Sequence, residues 1–117
     1  MYIDGFLIPV PAGKKDVYID FARRAWPLFK ECGATRLVEC WGDDVPKGKL
    51  TDFYGAVKTE ADEVVVFAWL EWPSKAARDE GNRKMMADPR SKEFSAGMPF
   101  DGKRMIYGGF APVVDVN

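Results

Sequence analysis

Three carboxylates, Asp4, Glu39 and Glu71, fall in segments that read as strands, at positions that parity can bring onto one sheet face. Carboxylates on a covered face must be protonated, ion-paired or hydrated. One whose pKa is raised by that environment serves as a general acid or base. These three are therefore the candidate catalytic residues. Around them the same pattern sets aromatic walls: Trp41, Trp69 and Tyr107. A cavity lined by aromatic rings with a few polar anchors is the usual form of a small-molecule site.

The densest chemistry lies in Met98–Phe110, which holds Asp101, Lys103, Arg104, three glycines and three aromatics. Arg104 has the fork geometry to clamp a carboxylate or phosphate in a bidentate manner, with Lys103 beside it and Asp101 in the same turn. The alternative is structural. Asp101-Gly102 then makes a tight turn, and Arg104 pairs with a nearby acid. Gly108-Gly109, inside a strand, implies a bulge or a close backbone approach.

Other chemistries are excluded. The sequence has no histidine, which removes Ser-His-Asp and Cys-His nucleophiles and the commonest zinc, iron and haem ligands. Neither Gly-x-Gly-x-x-Gly nor a Walker phosphate loop is present,. No metal and no cofactor is expected. The net charge of −1 and the scattered Lys and Arg offer no basic stripe for nucleic acid. The longest apolar run, Val64–Leu70, is too short to cross a bilayer. Two cysteines and no evident signal peptide predict a cytoplasmic protein with reduced thiols,.

These residues need elements to position them. At 117 residues and 47% hydrophobic content, the chain reads as one domain, 1–117, burying roughly two-thirds of its unfolded surface. Met1–Val10 reads as a strand. Lys14–Cys32 reads as an amphipathic helix, kinked or broken at Pro27 and stopped by Gly33,. Ala34–Trp41 is a second strand, and Gly42–Lys49 a polar loop. Thr51–Val57 reads as one or two helical turns capped by Thr51, a short strand being the alternative. Glu63–Trp72 is a strand with two apolar faces, and Ser74 caps a helix that runs to about Ala87. Another helical turn at Ser91–Gly97 and a last strand at Met105–Val114 complete the chain.

Strand, helix, strand, insert, strand, helix, strand is the α+β, ferredoxin-like βαββαβ order. It gives an antiparallel sheet with helices on one face. Two short helices cannot cover both faces of Glu63–Trp72. A second copy meeting the sheet about a two-fold axis is the simplest cover, so a homodimer is expected. Parity then sends Val65, Phe67, Trp69 and Glu71 away from the helices. The same far face is expected to carry Tyr2, Asp4 and Phe6 of the first strand, Leu37, Glu39 and Trp41 of the second, and Tyr107 of the last. A register slip of one residue would flip any of these assignments.

The blocks Val38-Glu39-Cys40-Trp41, Thr51-Asp52-Phe53, Trp72-Pro73-Ser74-Lys75, Arg78-Asp79, Met85–Arg90 and Met98–Phe110 resemble the YbaA-like family of small bacterial proteins, a domain of unknown function. The resemblance covers nearly the whole chain. It implies a dimeric α/β barrel of the ferredoxin-like superfamily, whose relatives include cofactor-free monooxygenases, haem-handling enzymes and stress-response proteins. The expected function is binding or converting a small aromatic or anionic metabolite in a cavity on the sheet face away from the helices. The alternative is a structural or stress-related dimer with no ligand.

Overall fold

The doubly apolar strand is the spine of the molecule. In a computed structural model, which describes residues 1–117, it forms β3 (Glu63–Trp72). β3 pairs antiparallel along its whole length with β1 (Tyr2–Pro11). β2 (Arg36–Trp41) flanks β3 and β4 (Ile106–Phe110) flanks β1, giving the order β2-β3-β1-β4 with every pairing antiparallel. This is the expected ferredoxin-like sheet.

Between β1 and β2 runs α1 (Lys15–Glu31), entered through a single turn of 3-10 helix. Its apolar stripe buries Tyr18, Ala22, Ala25 and Leu28. The helix continues through Pro27 without a break. Pro27 is exposed, so its ring and missing amide fall on the solvent side. Ser74 caps α3 (Lys75–Ala87), its side chain accepting from the Ala77 amide at 3.1 Å. Gly81 is buried in α3 because a side chain there would collide with the Trp72 ring and the Cys32 carbonyl. α4 (Arg90–Ala96) follows directly. It is fastened by Arg90, whose guanidinium reaches Asp88 at 2.8 Å and Glu31 of α1 at 2.5 Å.

The insert after β2 contains one helical turn, α2 (Phe53–Ala56). Its cap is Asp52, not Thr51: the Asp52 carboxylate accepts from the amides of Gly55 at 2.7 Å and Gly48 at 3.1 Å. β4 stops at Phe110, short of the expected Val114. Its partner is running out there, since Phe110 already pairs with Ile3, and Pro112 brings no amide,. The Gly108-Gly109 pair makes no bulge, because pairing with β1 continues through both. Gly109 instead gives room to the Tyr2 hydroxyl and the Arg78 guanidinium.

Register fixes the faces. Tyr2, Asp4, Phe6 and Ile8 pair with Trp72, Leu70, Ala68 and Val66. In the second strand, Leu37, Glu39 and Trp41 pair with Leu70, Ala68 and Val66. Tyr107 pairs with Phe6. All of these therefore share the helix-facing side of β3, where Val66, Ala68, Leu70 and Trp72 are buried. The expectation that Asp4, Glu39, Trp41 and Tyr107 lie on the far face is corrected. Only the β3 assignment holds: Val65, Phe67, Trp69 and Glu71 do face away. α2 lies on that far face, with Phe53 edge-on to Phe67 at 6.4 Å between centroids. The chain's own insert thus covers part of the surface assigned to a second copy.

Candidate functional site

The sequence-predicted site residues separate into four places. Asp4 is 9% exposed on the helix side, where its carboxylate accepts from the Trp72 indole at 2.9 Å. Arg78 lies 3.7 Å from it and donates to Tyr2 Oη at 2.9 Å, stacking its guanidinium over the Tyr2 ring. Arg78 Nε is buried with no hydrogen bond, held by the charges of Asp4 and, at 3.4 Å, Asp79. Burial pushes the Asp4 carboxyl up, against the opposing pull of the Trp72 hydrogen bond and the Arg78 charge. Its partners account for it as packing.

Arg104 is the clamp of a structural network. It grips Glu63 with two hydrogen bonds of 2.6 and 2.7 Å, holds Asp101 at 3.0 Å and donates to the Lys58 carbonyl at 3.0 Å. Its pairing holds the Glu63 and Asp101 carboxyls below their usual range. The network ties the turn before β4 to the turn before β3, where Lys58 and Asp62 both have positive φ. All three of its nitrogens already donate to protein oxygens. Lys103 is exposed, and its amide donates to Asp101 at 3.0 Å.

Glu71 lies on the far face, accepting from Trp69 Nε1 at 2.9 Å, with Arg36 at 3.4 Å. Beside it runs a groove of about 660 Å³, walled by Ile3, Leu7, Phe67, Trp69, Ile106 and Phe110 and continued by Ala111, Pro112 and Val114 of the tail. Its walls are almost wholly apolar. Tyr107 lies on the opposite, helix-facing side of β4, where it is 74% exposed and stacks on Phe6 at 6.4 Å.

Glu39 is the predicted carboxylate that meets a cavity. It stands on the open edge strand β2, yet its carboxylate accepts from the buried Tyr18 hydroxyl at 2.5 Å. Desolvation raises the Glu39 pKa, opposed by the Tyr18 hydrogen bond. The Tyr18 hydroxyl is pushed up still further, by burial and by the neighbouring charge. The pair closes one end of a cavity of about 250 Å³ between the sheet and the helices. Phe6 and Leu37 form its floor, Phe21 and Ala25 its α1 wall. Phe94, Met98, Phe100 and Met105 form the opposite wall. The rings of Tyr18, Phe21 and Phe100 lie 5.8–6.5 Å apart and are tilted or edge-on. Trp41 packs on Tyr18 at 6.4 Å, with Lys15 over its ring. Outside, a second hollow of about 620 Å³ runs between α1 and β2 and shares Tyr18, Ala22, Leu37 and Glu39 with the inner one.

The arrangement offers an apolar interior with one carboxyl–phenol pair able to hold a proton at its edge. Sequence reasoning singled out Glu39 but missed Tyr18. It also missed Phe94, Met98 and Met105. The signal was there for Tyr18, as a phenol on a helix's buried stripe needs a hydrogen-bond partner.

Comparison with known proteins matches residues 1–102 to the family described as protein of unknown function (DUF1428). The uncharacterized protein YbaA of Escherichia coli K12 is 63% identical over 114 residues, covering 97% of each chain, and that of Shigella flexneri matches to the same extent. Among solved structures, a dimeric ferredoxin-like protein from an uncultured marine organism aligns with a TM-score of 0.68 at 10% identity. The alignment covers 100% of this chain and 99% of that one. An uncharacterized NIPSNAP domain protein from Burkholderia xenovorans aligns with a TM-score of 0.63 at 18% identity and the same coverage. These likenesses bear on the fold. No helix is long and apolar enough to cross a membrane.

Proposed function

The chain belongs to the DUF1428 family of proteins of unknown function, and on that premise we propose that it is a homodimer in which each protomer takes up a small apolar or aromatic molecule in the cavity between sheet and helices. Glu39 is the group placed to give or accept a proton there, with Tyr18 holding its carboxylate. The observation that carries this reading is the Tyr18–Glu39 pair at the edge of an otherwise apolar cavity of about 250 Å³. A dry cavity of about 150 Å³ already suffices for a benzene ring. A partly desolvated carboxyl with a raised pKa beside such a space is what acid–base work requires,.

The homodimer rests on the far face. Phe67 is 49% and Phe110 62% exposed there, and apolar surface of this kind is stabilised by a covering partner. The dimeric description of the solved neighbour supports the same assembly. Cys32 and Cys40 are unbridged, which supports a cytoplasmic setting.

The experiment follows the methyl signals of Met98 and Met105 by NMR while benzene or indole is added. Selective shifts of these methyls, removed by the cavity-filling Ala25→Leu, support the reading. Unchanged methyl signals at saturating ligand overturn it. A second reading keeps the ligand in the far-face groove, favoured by its volume of about 660 Å³ and by Trp69 beside Glu71. Shifts confined to Ile3, Leu7 and Ile106 methyls would select it. Silence at both places leaves the structural or stress-related dimer.

A further inference from the structure

The seven arginines of the sequence divide sharply. Six are ion-paired with an aspartate or glutamate. Arg23 has no acidic partner. It is exposed on α1 and lines the outer hollow between α1 and β2. That hollow and the inner cavity share Tyr18, Ala22, Leu37 and Glu39 in their walls, so these side chains stand between the two and their displacement would join them.

Charge is graded along this path. The inner end is apolar. The middle is the Tyr18–Glu39 pair, where the carboxylate already accepts a hydrogen bond and would repel a second anion,. The outer end holds the uncommitted guanidinium of Arg23, with the Trp26 ring on the same wall. Arginine is the side chain best fitted to a carboxylate, through paired N–H donors. We propose that the site takes an amphipathic monoanion, its apolar body in the inner cavity and its carboxylate held by Arg23 beyond Glu39. This rests on the cavity reading above and adds the class of ligand to it.

The test compares 3-phenylpropanoate, 3-phenylpropan-1-ol and 3-phenylpropylamine by titration calorimetry at low ionic strength. The three probes share a body and differ only in the charge of the end. The acid is expected to bind about tenfold tighter than the alcohol, and the amine no better than the alcohol. Arg23→Ala, at an exposed position, should bring the acid down to the alcohol's affinity and leave the alcohol unchanged. Arg23→Lys should restore part of the preference. High salt should narrow the gap. If the alcohol binds but the acid gains nothing, the anionic class is wrong while the cavity reading stands. If the preference survives Arg23→Ala, the assignment of Arg23 as the anchor is overturned, and Arg36 on the same hollow is the other guanidinium in reach. A preference for the amine overturns it in the same way, pointing to Glu39 as the anchor. If none of the three binds, the cavity reading fails and this inference with it.

Discussion

The two faces of the β3 strand carry side chains of the same character and meet different fates. Toward the helices, Val66, Ala68, Leu70 and Trp72 are each no more than 2% exposed. Away from them, Val65 is buried but Phe67 is about half exposed, and Trp69 only partly covered. The helix face also holds the polar groups with perturbed protonation, Asp4, Tyr18 and Glu39. The far face keeps Glu71, tied to Trp69 and Arg36. A greasy strand thus says that two covers are needed but not which cover carries chemistry. Here the chain's own helices bury Tyr18 and bring it to Glu39 at the sheet edge, and the opposite face offers area for association.

The sharpest break between the faces is a pair of truncations. Trp72→Ala removes a fully buried ring and the donor to Asp4, and is expected to cost about 3–5 kcal/mol in urea unfolding. Phe67→Asp changes a half-exposed residue. It should leave the protomer's circular dichroism intact and weaken self-association by more than about tenfold in sedimentation equilibrium. Equal loss of folding in both variants would erase the distinction drawn here.

Smaller effects sharpen the helix-side description. Tyr18→Phe deletes one hydrogen bond and should lower stability by about 1 kcal/mol, with ligand shifts reduced at the Met98 methyl. Glu39→Gln keeps an acceptor for Tyr18. Because burial raises the Glu39 pKa above its ordinary 4.5, the folded state holds its proton longer than the unfolded one. Stability of the native protein should therefore fall, relative to Glu39→Gln, as pH rises from about 4.5 through the raised value, and the difference should then level off,. Parallel curves for the two proteins would show that Glu39 is not desolvated. The smallest expected effect is at Asp88. Arg90 depresses its carboxyl to about 2, so its NMR titration should centre there. Its contribution, present above the ordinary 3.8, should fade only as pH falls toward that value,.

Element types were legible because periodicity is a local signal. β3 has the bounds that its composition predicts, and Ser74 caps α3 as its position implies. Faces were not legible. Along β1, Tyr2, Phe6 and Ile8 alternate with Ile3, Leu7 and Pro9, so neither set is marked as outward. Parity is certain within a strand, but relating one strand to the next needs the register, which the pairing alone supplies. One unmarked choice in each of β1, β2 and β4 moved Asp4, Glu39, Trp41 and Tyr107 to the other side. Arg104 was legible in its structural reading, since a bidentate fork two residues before a strand start finds an acid across the turn as readily as a ligand. Tyr18 escaped notice because its partner lies 21 positions away, on β2.

Gly81 has a consequence for traffic. With no room for even a methyl between α3, the Trp72 ring and the Cys32 carbonyl, that flank of the interior has no slack through which a molecule could slip. The opposite flank, α4, is clipped on by exposed ion pairs of Arg90. With that spot closed, we expect passage to and from bulk water to go past α4 or through the α1–β2 hollow. Electrolyte, which loosens such clips, should then speed the coming and going of an uncharged guest before it alters how tightly the guest is held.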